Sequence, residues 1–358
     1  MSDADRPTTT APDADLGWCH DSVQGVSRTF ALTVDVLEEP MSSYICLGYL
    51  LCRIADTVED TDRIDPDEQS ALLRTYDAAL DPQDDTAAAD FRAAVDEHLP
   101  PADGRSADWE VVAETERVFA TFEELPADVR SAIVPPVREL VGGMAEFVDR
   151  YADEGGLRIG TRGELEEYCY YAAGTVGNLI TNLLTRGDIA EERARRLHET
   201  AEEFGLLLQL VNIAKDVHDD FEEENNVYLP AEWLDSENVP QEDLTAHEHR
   251  DGTAAVVGRT TAFARTFLDD AESYLEHLPL VDGNTLDAWA IPFLLAVGTL
   301  RELGASPEKA VDGRGVKVSR QEVFAVVSAM SEHGRDSLPE LRRAIAGQPF
   351  HRRPSAAD

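Results

Sequence analysis

Residues 42–62 read SSYICLGYLLCRIADTVEDTD, three apolar turns that end in acid. The apolar positions recur at three- and four-residue spacing, the period of a helix with a buried face. Asp56, Glu59 and Asp60 follow at i, i+3 and i+4, so their carboxylates project from one side of that helix. Residues 202–230, EEFGLLLQLVNIAKDVHDDFEEENNVYLP, repeat the arrangement, with Asp216, Asp219 and Asp220 at the same spacing after a comparable apolar run. Like charges so placed destabilise an isolated helix, and two such clusters at the polar ends of buried helices want a shared counter-charge.

Outward from these segments the helical period persists, and runs of alternating β-branched residues are scarce. Pro40, Pro66, Pro126 and Pro230 punctuate helix starts or loops. No composition shift, flexible linker or internal repeat divides the middle. The expectation is an all-α protein with one domain of ten or more helices over residues 16–348. An acidic tail over 1–15 and a second tail over 349–358 flank it.

Among 358 residues, 71 Asp+Glu oppose 31 Lys+Arg, a formal net charge of −40. That excess excludes a nucleic-acid surface, which needs a basic stripe, and a polybasic patch for anionic lipid. A hydrophobic fraction of 43% still builds a core. Only Lys215, Lys309 and Lys317 accompany 28 arginines. Acid along the whole chain with so little lysine suggests adaptation to high salt (a halophilic surface), where a Debye length of about 3 Å at 1 M screens self-repulsion. Cys19, Cys46, Cys52 and Cys169 lack metal spacing and are expected as buried free thiols. The first fifteen residues have no apolar signal-peptide segment, and no stretch reaches the 18 or so apolar residues of a membrane span. The expectation is a cytoplasmic protein.

Magnesium suits the two acidic clusters, because it prefers oxygen and binds through one or two carboxylates plus substrate phosphate. Asp56, Glu59, Asp60, Asp216, Asp219 and Asp220 are the candidate ligands. One cluster alone reads more readily as the helix end of a very acidic surface. Two of equal spacing, each after a long apolar helix, favour metal.

SRTFALTV, YLLCRIADTVED, YCYYAAGTVGNL and LLLQLVNIAKDVHDD, in that order, resemble the signature segments of the squalene/phytoene synthase family. The resemblance runs from about Ser27 to Arg320. It implies an isoprenoid-synthase helical bundle with a central cavity, acidic motifs on opposite walls, and Mg²⁺-dependent condensation of two prenyl diphosphates. By resemblance, Asp56, Glu59, Asp60, Asp216 and Asp220 match the metal motifs, while Asp219 stands where squalene synthases usually have Glu. Arg28 and Arg53 match arginines that contact diphosphate or the nicotinamide cofactor, as planar, always-charged donors can. Lys215 replaces a usual Arg. Tyr49, Tyr168 and Tyr171 match cavity tyrosines, with Tyr171 favoured for proton transfer. Gln209 and Asn212 share the face of Asp216, and Phe30 serves as core and pocket wall. Tyr170 reads as core, Gly174 and Gly177 as points of close helix approach, and His218 as surface.

Within the family, DTVED and the segment WAIPFLLAVGTL followed by GVKVSR resemble squalene synthases, where a basic stretch helps bind NADPH. Lys317 matches that stretch. Its next basic position is Ser319 here, with Arg320 immediately after. The resemblance thus implies two farnesyl diphosphates joined to presqualene diphosphate and reduced with NADPH to squalene, in a cavity closed to water. Phytoene or dehydrosqualene synthase, without that reduction, is the alternative. A monomer is expected, with transient, peripheral membrane contact for product release.

Overall fold

The computed structural model describes residues 11–332 and 334–352, with the side chains of 11–14, 28, 29 and 331 outside that description. The apolar spacing becomes helix almost throughout. In order these are α1 (Ala11–Val26), α2 (Arg28–Val36), α3 (Met41–Glu59), α4 (Pro66–Leu80), α5 (Ala88–Val95), α6 (Ala107–Ala113), α7 (Thr115–Glu123), α8 (Ala127–Arg150) and α9 (Arg162–Cys169). There follow α10 (Thr175–Leu184), α11 (Glu191–Glu224), α12 (Ala231–Ser236), α13 (Arg250–Ala264), α14 (Leu268–His277), α15 (Leu286–Ala305), α16 (Glu308–Val311), α17 (Arg320–Glu332) and α18 (Leu338–Gly347). Among the described residues there is no β-sheet, only an isolated parallel bridge between Arg158 and Val227.

The expected prolines sit at helix starts: Pro66 in the first turn of α4, Pro126 and Pro230 immediately before α8 and α12, and Pro40 before α3. Both expected tails prove partly structured. The first helix begins at Ala11, and Arg117 reaches back to Asp15 at 2.7 Å. At the other end Phe350 packs on the core, and its N–H donates to the buried Glu322. Residues 1–10 and 353–358 lie outside the described residues.

Helix α3 runs through one half of the molecule, against α8, α6, α4 and α1; α11 runs through the other, against α14, α10, α13 and α15. Leu47, Leu50, Leu51 and Ile54 of α3 are fully buried, and each such side chain contributes about 1.5–3 kcal/mol of apolar burial. Helices α8 and α10 bridge the halves. The 34 residues of α11 make a rod of roughly 50 Å at 1.5 Å per residue. Helix α15 is apolar and long enough to cross a membrane, yet its apolar stretch is 67% buried inside the protein, against α18, α17, α2 and α11. All four cysteines are buried and unpaired, as expected.

Close approach decides two glycines. A Cβ on Gly177 would stand 2.2 Å from the Ala201 carbonyl oxygen, and one on Gly205 would stand 2.3 Å from that of Ala173. These contacts clamp α11 to α10 and the turn before it. Gly174 has the same use, facing Tyr170 and Leu206. Overpacking against backbone costs about 1–3 kcal/mol, whereas Gly142 in α8 has open space around it. Gly205→Ala should therefore lower denaturant-unfolding stability by about that amount. Gly142→Ala should be neutral or raise it by up to about 1 kcal/mol through helix propensity. Equal effects of the two would contradict the packing described.

Candidate active site

Helix α3 ends where its acid begins. The buried Gln69 amide donates to the carbonyls of Val58 (3.0 Å), Glu59 (3.1 Å) and Thr61 (2.7 Å), closing the orphan carbonyls of the last turn. That fixes the direction in which Asp56, Glu59 and Asp60 leave the helix. The last turns of α11 carry Asp216, Asp219 and Asp220, and Asn225 terminates the helix with φ 56°.

The two clusters face each other. Burial is the first cause that raises Asp220, to about 9, followed by the charges of Asp216, Glu224 and Asp60. Asp56 is pushed up to about 7 by burial, against the pull of Arg53 and with a further push from Asp60. Glu224 rises to about 8 through burial and the charge of Asp60. Glu59 and Asp60 are raised in the same sense, burial leading in both. Asp60 of α3 thus acts on both Asp220 and Glu224 of α11. Arg53 and Lys215 are the cations acting on these carboxylates among the described residues: Arg53 lies 3.8 Å from Asp56, and Lys215 pairs with Asp216.

A deficit of positive charge is what a divalent cation corrects. Glu59 Oε1 is buried with no hydrogen-bond partner, an orphan of the kind that needs a cause. Among the described residues no three or more His, Cys, Asp or Glu side chains are grouped closely enough to hold a metal ion by themselves. The donor set fits magnesium, which completes its shell with water and phosphate.

Tyrosines close the floor. Tyr168 donates to the Tyr228 hydroxyl at 3.2 Å, and Asn226 Nδ2 donates to the same oxygen at 3.3 Å. Both phenols are held well above their usual range by burial and the nearby carboxylates. Tyr49 stacks on Phe30 with centroids 3.9 Å apart, and its hydroxyl pairs with Ser27. The start of α2, with Arg28, therefore lies beside the first cluster; the Arg28 side chain lies outside the described residues.

Other expected residues are placed differently. Tyr171 packs over Gly143 of α8, and Glu146, Glu167 and Glu139 are the acids acting on it. A π-helical turn over Tyr170–Gly174 breaks the α period between it and Tyr168. Of these two, Tyr168 stands at the carboxylates. Tyr170 donates to Glu139 at 2.6 Å near the surface. Asp219 and Asn212 are exposed and Gln209 is half-buried. Lys317 and Arg320 are exposed, and neither lines the cleft of about 190 Å³ beside Asp220, whose walls include Ile213, Val217, Asn226, Tyr228 and Leu244. His218 is half-buried rather than surface: Gly313 passes against its ring, and its Nδ1 is enclosed without a partner. Asp108, Glu224, Asn226 and Tyr228 escaped the sequence reading. Glu224 alone had a signal there, four residues beyond Asp220 on the same face.

Because the folded protein raises the Asp220 carboxyl from 3.8 to about 9, the folded state holds the proton more tightly than the unfolded chain. This residue's cost to stability is absent below about pH 4 and grows as pH rises towards 9. In metal-free protein at fixed salt, Asp220→Asn should melt higher than wild type at pH 8.5, and the gain should shrink towards pH 5. A pH-independent difference would contradict the crowding.

The squalene/phytoene synthase family matches residues 23–322. Squalene synthase 1 of Arabidopsis thaliana is 26% identical over 81% of this chain and 65% of its own length. The squalene synthase of Schizosaccharomyces pombe is 24% identical over 86% of this chain and 64% of its own. The chain thus spans less than two thirds of these relatives. A ligand complex of TcSQS superimposes with a TM-score of 0.78 at 23% identity, covering 96% of this chain and 94% of that one. A dehydrosqualene synthase in complex with ligand gives 0.61 at 21% identity, covering 90% and 96%. At those identities the structures show a shared fold. With the family match spanning most of the helical domain, the chain belongs to the squalene/phytoene synthase family.

Proposed function

We propose that this chain is a prenyltransferase that joins two farnesyl diphosphates head to head. The observation that carries this reading is the facing of two carboxylate clusters, at the ends of apolar helices, with too little positive charge between them. Asp56, Glu59, Asp60, Asp216, Asp220 and Glu224 would hold magnesium, with Asp219 at the exposed edge. When bound, magnesium neutralises diphosphate oxygens and makes that group a better leaving group.

The chain's own side chains do the rest. Arg53 and Lys215 supply further donors for phosphate oxygens. Leu50, Leu51 and Ile54 on α3, with Leu210 and Val211 on α11, are buried below the acid and keep water from the reacting carbons. The carbon–carbon bond that joins the two chains forms as one diphosphate departs, and a proton then leaves the second chain. Tyr168, whose hydroxyl stands among the carboxylates and Tyr228, is placed to pass that proton.

The finer reading is squalene synthase, supported by the DTVED form of the first motif and by relatives that are squalene synthases. Lys317 and Arg320 are exposed, and Gly313 of the same loop meets the His218 ring on α11. No reduction step is derived from them. The second reading is a phytoene or dehydrosqualene synthase that needs no NADPH, supported by the fold shared with a dehydrosqualene synthase.

Purified protein given farnesyl diphosphate and Mg²⁺, with and without NADPH, separates the readings by product. Squalene formed only with NADPH supports the first, and a polyene formed regardless supports the second. No condensation in either arm overturns the proposal. Asp56→Asn and Asp216→Asn should each lower turnover by about 10²-fold or more, at least roughly 2.7 kcal/mol of transition-state stabilisation, with unchanged circular dichroism.

A further inference from the structure

Asp108 lies in the first turn of α6, outside both acidic motifs. Its Oδ1 accepts from Arg53 Nε at 2.8 Å, with both side chains less than a third exposed. The terminal Arg53 nitrogen nearest Asp56 stands 3.8 Å from its carboxylate, beyond hydrogen-bond reach. A guanidinium is a rigid plane of five donors. Holding its Nε edge fixes the plane and leaves the terminal N–H groups to point elsewhere.

The mount is firm. Trp109, next in sequence, is buried, and its N–H is capped by Ser106 at 3.3 Å. Ala107 meets Gly25 of α1, and α6 packs on α3 itself. Asp108 also adds its charge to the field on Asp56 and Asp60, so the Arg53 plane stands at the first cluster. A single ion pair that still meets solvent contributes little to stability, which leaves orientation as the use of this one.

We propose that Asp108 is a positioning residue that holds the Arg53 guanidinium by its Nε edge, so that the terminal N–H groups face the substrate diphosphate. This rests on the prenyl-diphosphate reading of the site. The test measures Mg²⁺-dependent binding of inorganic pyrophosphate by calorimetry, together with KM and kcat for farnesyl diphosphate. Variants are Asp108→Ala, Asp108→Asn, Asp108→Glu, Arg53→Ala and the Asp108→Ala/Arg53→Ala pair. Asp108→Ala should weaken pyrophosphate binding and raise KM about tenfold, with a smaller change in kcat. Asp108→Glu should restore part of the loss, and in the Arg53→Ala background Asp108→Ala should add nothing. Should Asp108→Ala fail to fold, the near-isosteric Asp108→Asn serves, with a smaller rise in KM that likewise vanishes without Arg53. Wild-type binding with losses that simply add, or with no loss in either variant, overturns the proposal for Asp108. Wild-type protein that binds no pyrophosphate overturns instead the reading of the site.

Discussion

Carboxylates from two helices are held together where water is scarce and cations are few, and the rest of the structure serves or tolerates that conflict. Charges of one sign in a low-dielectric setting repel strongly, and burial penalises each of them separately. Asp60 on α3 raises both Asp220 and Glu224 on α11, so the repulsion acts across the seam between the two halves of the molecule. Arg53 and Lys215 answer part of it. A protein that only needed to be stable would place these residues in solvent. Keeping them here makes sense if a cation and a diphosphate complete the charge balance on binding.

The scaffold holds the conflict still. Gln69 ties off the end of α3, and Gly177 and Gly205 let α11 press against its neighbours closely enough that a methyl group would not fit. Below the seam, Asn226 links two parts of the chain. Its Oδ1 accepts from the Leu157 N–H at 2.9 Å, and its amide donates to Tyr228, which accepts in turn from Tyr168. The segment after α11 is thereby pinned to the strap at residues 157–160, which also bonds Val227 and Ala231 through backbone groups. Movement that admits substrate would have to work against this network or leave it intact.

Much of this was legible in the sequence because it follows from helical period. The all-α class, the proline positions, the free thiols, the glycine contacts and the carboxylate faces of α3 and α11 are consequences of local spacing, which one sequence displays. What was missed depends on long-range placement or on a departure from that period. Asp108 sits 55 residues from Arg53, and no local pattern announces the pair. Tyr171 was favoured by resemblance alone, and a π turn at Tyr170–Gly174, which no local spacing announces, lies where the two tyrosines part. Asp219 shares a triad with Asp216 and Asp220, yet it is exposed, while Glu224, one turn beyond Asp220, feels the charge of Asp60. The start of α1 at Ala11 and the docking of Phe350 were obscured by polar flanks that read as tails.

The most direct measurement of the charge deficit is a crystal structure with Mn²⁺ and inorganic pyrophosphate, using the anomalous signal of manganese to locate the ions. Manganese is expected between the ends of α3 and α11, ligated by Asp56 or Asp60 on one side and Asp216 or Asp220 on the other, with pyrophosphate bridging them. Manganese confined to the outer acidic surface, with none at that seam, would contradict that expectation.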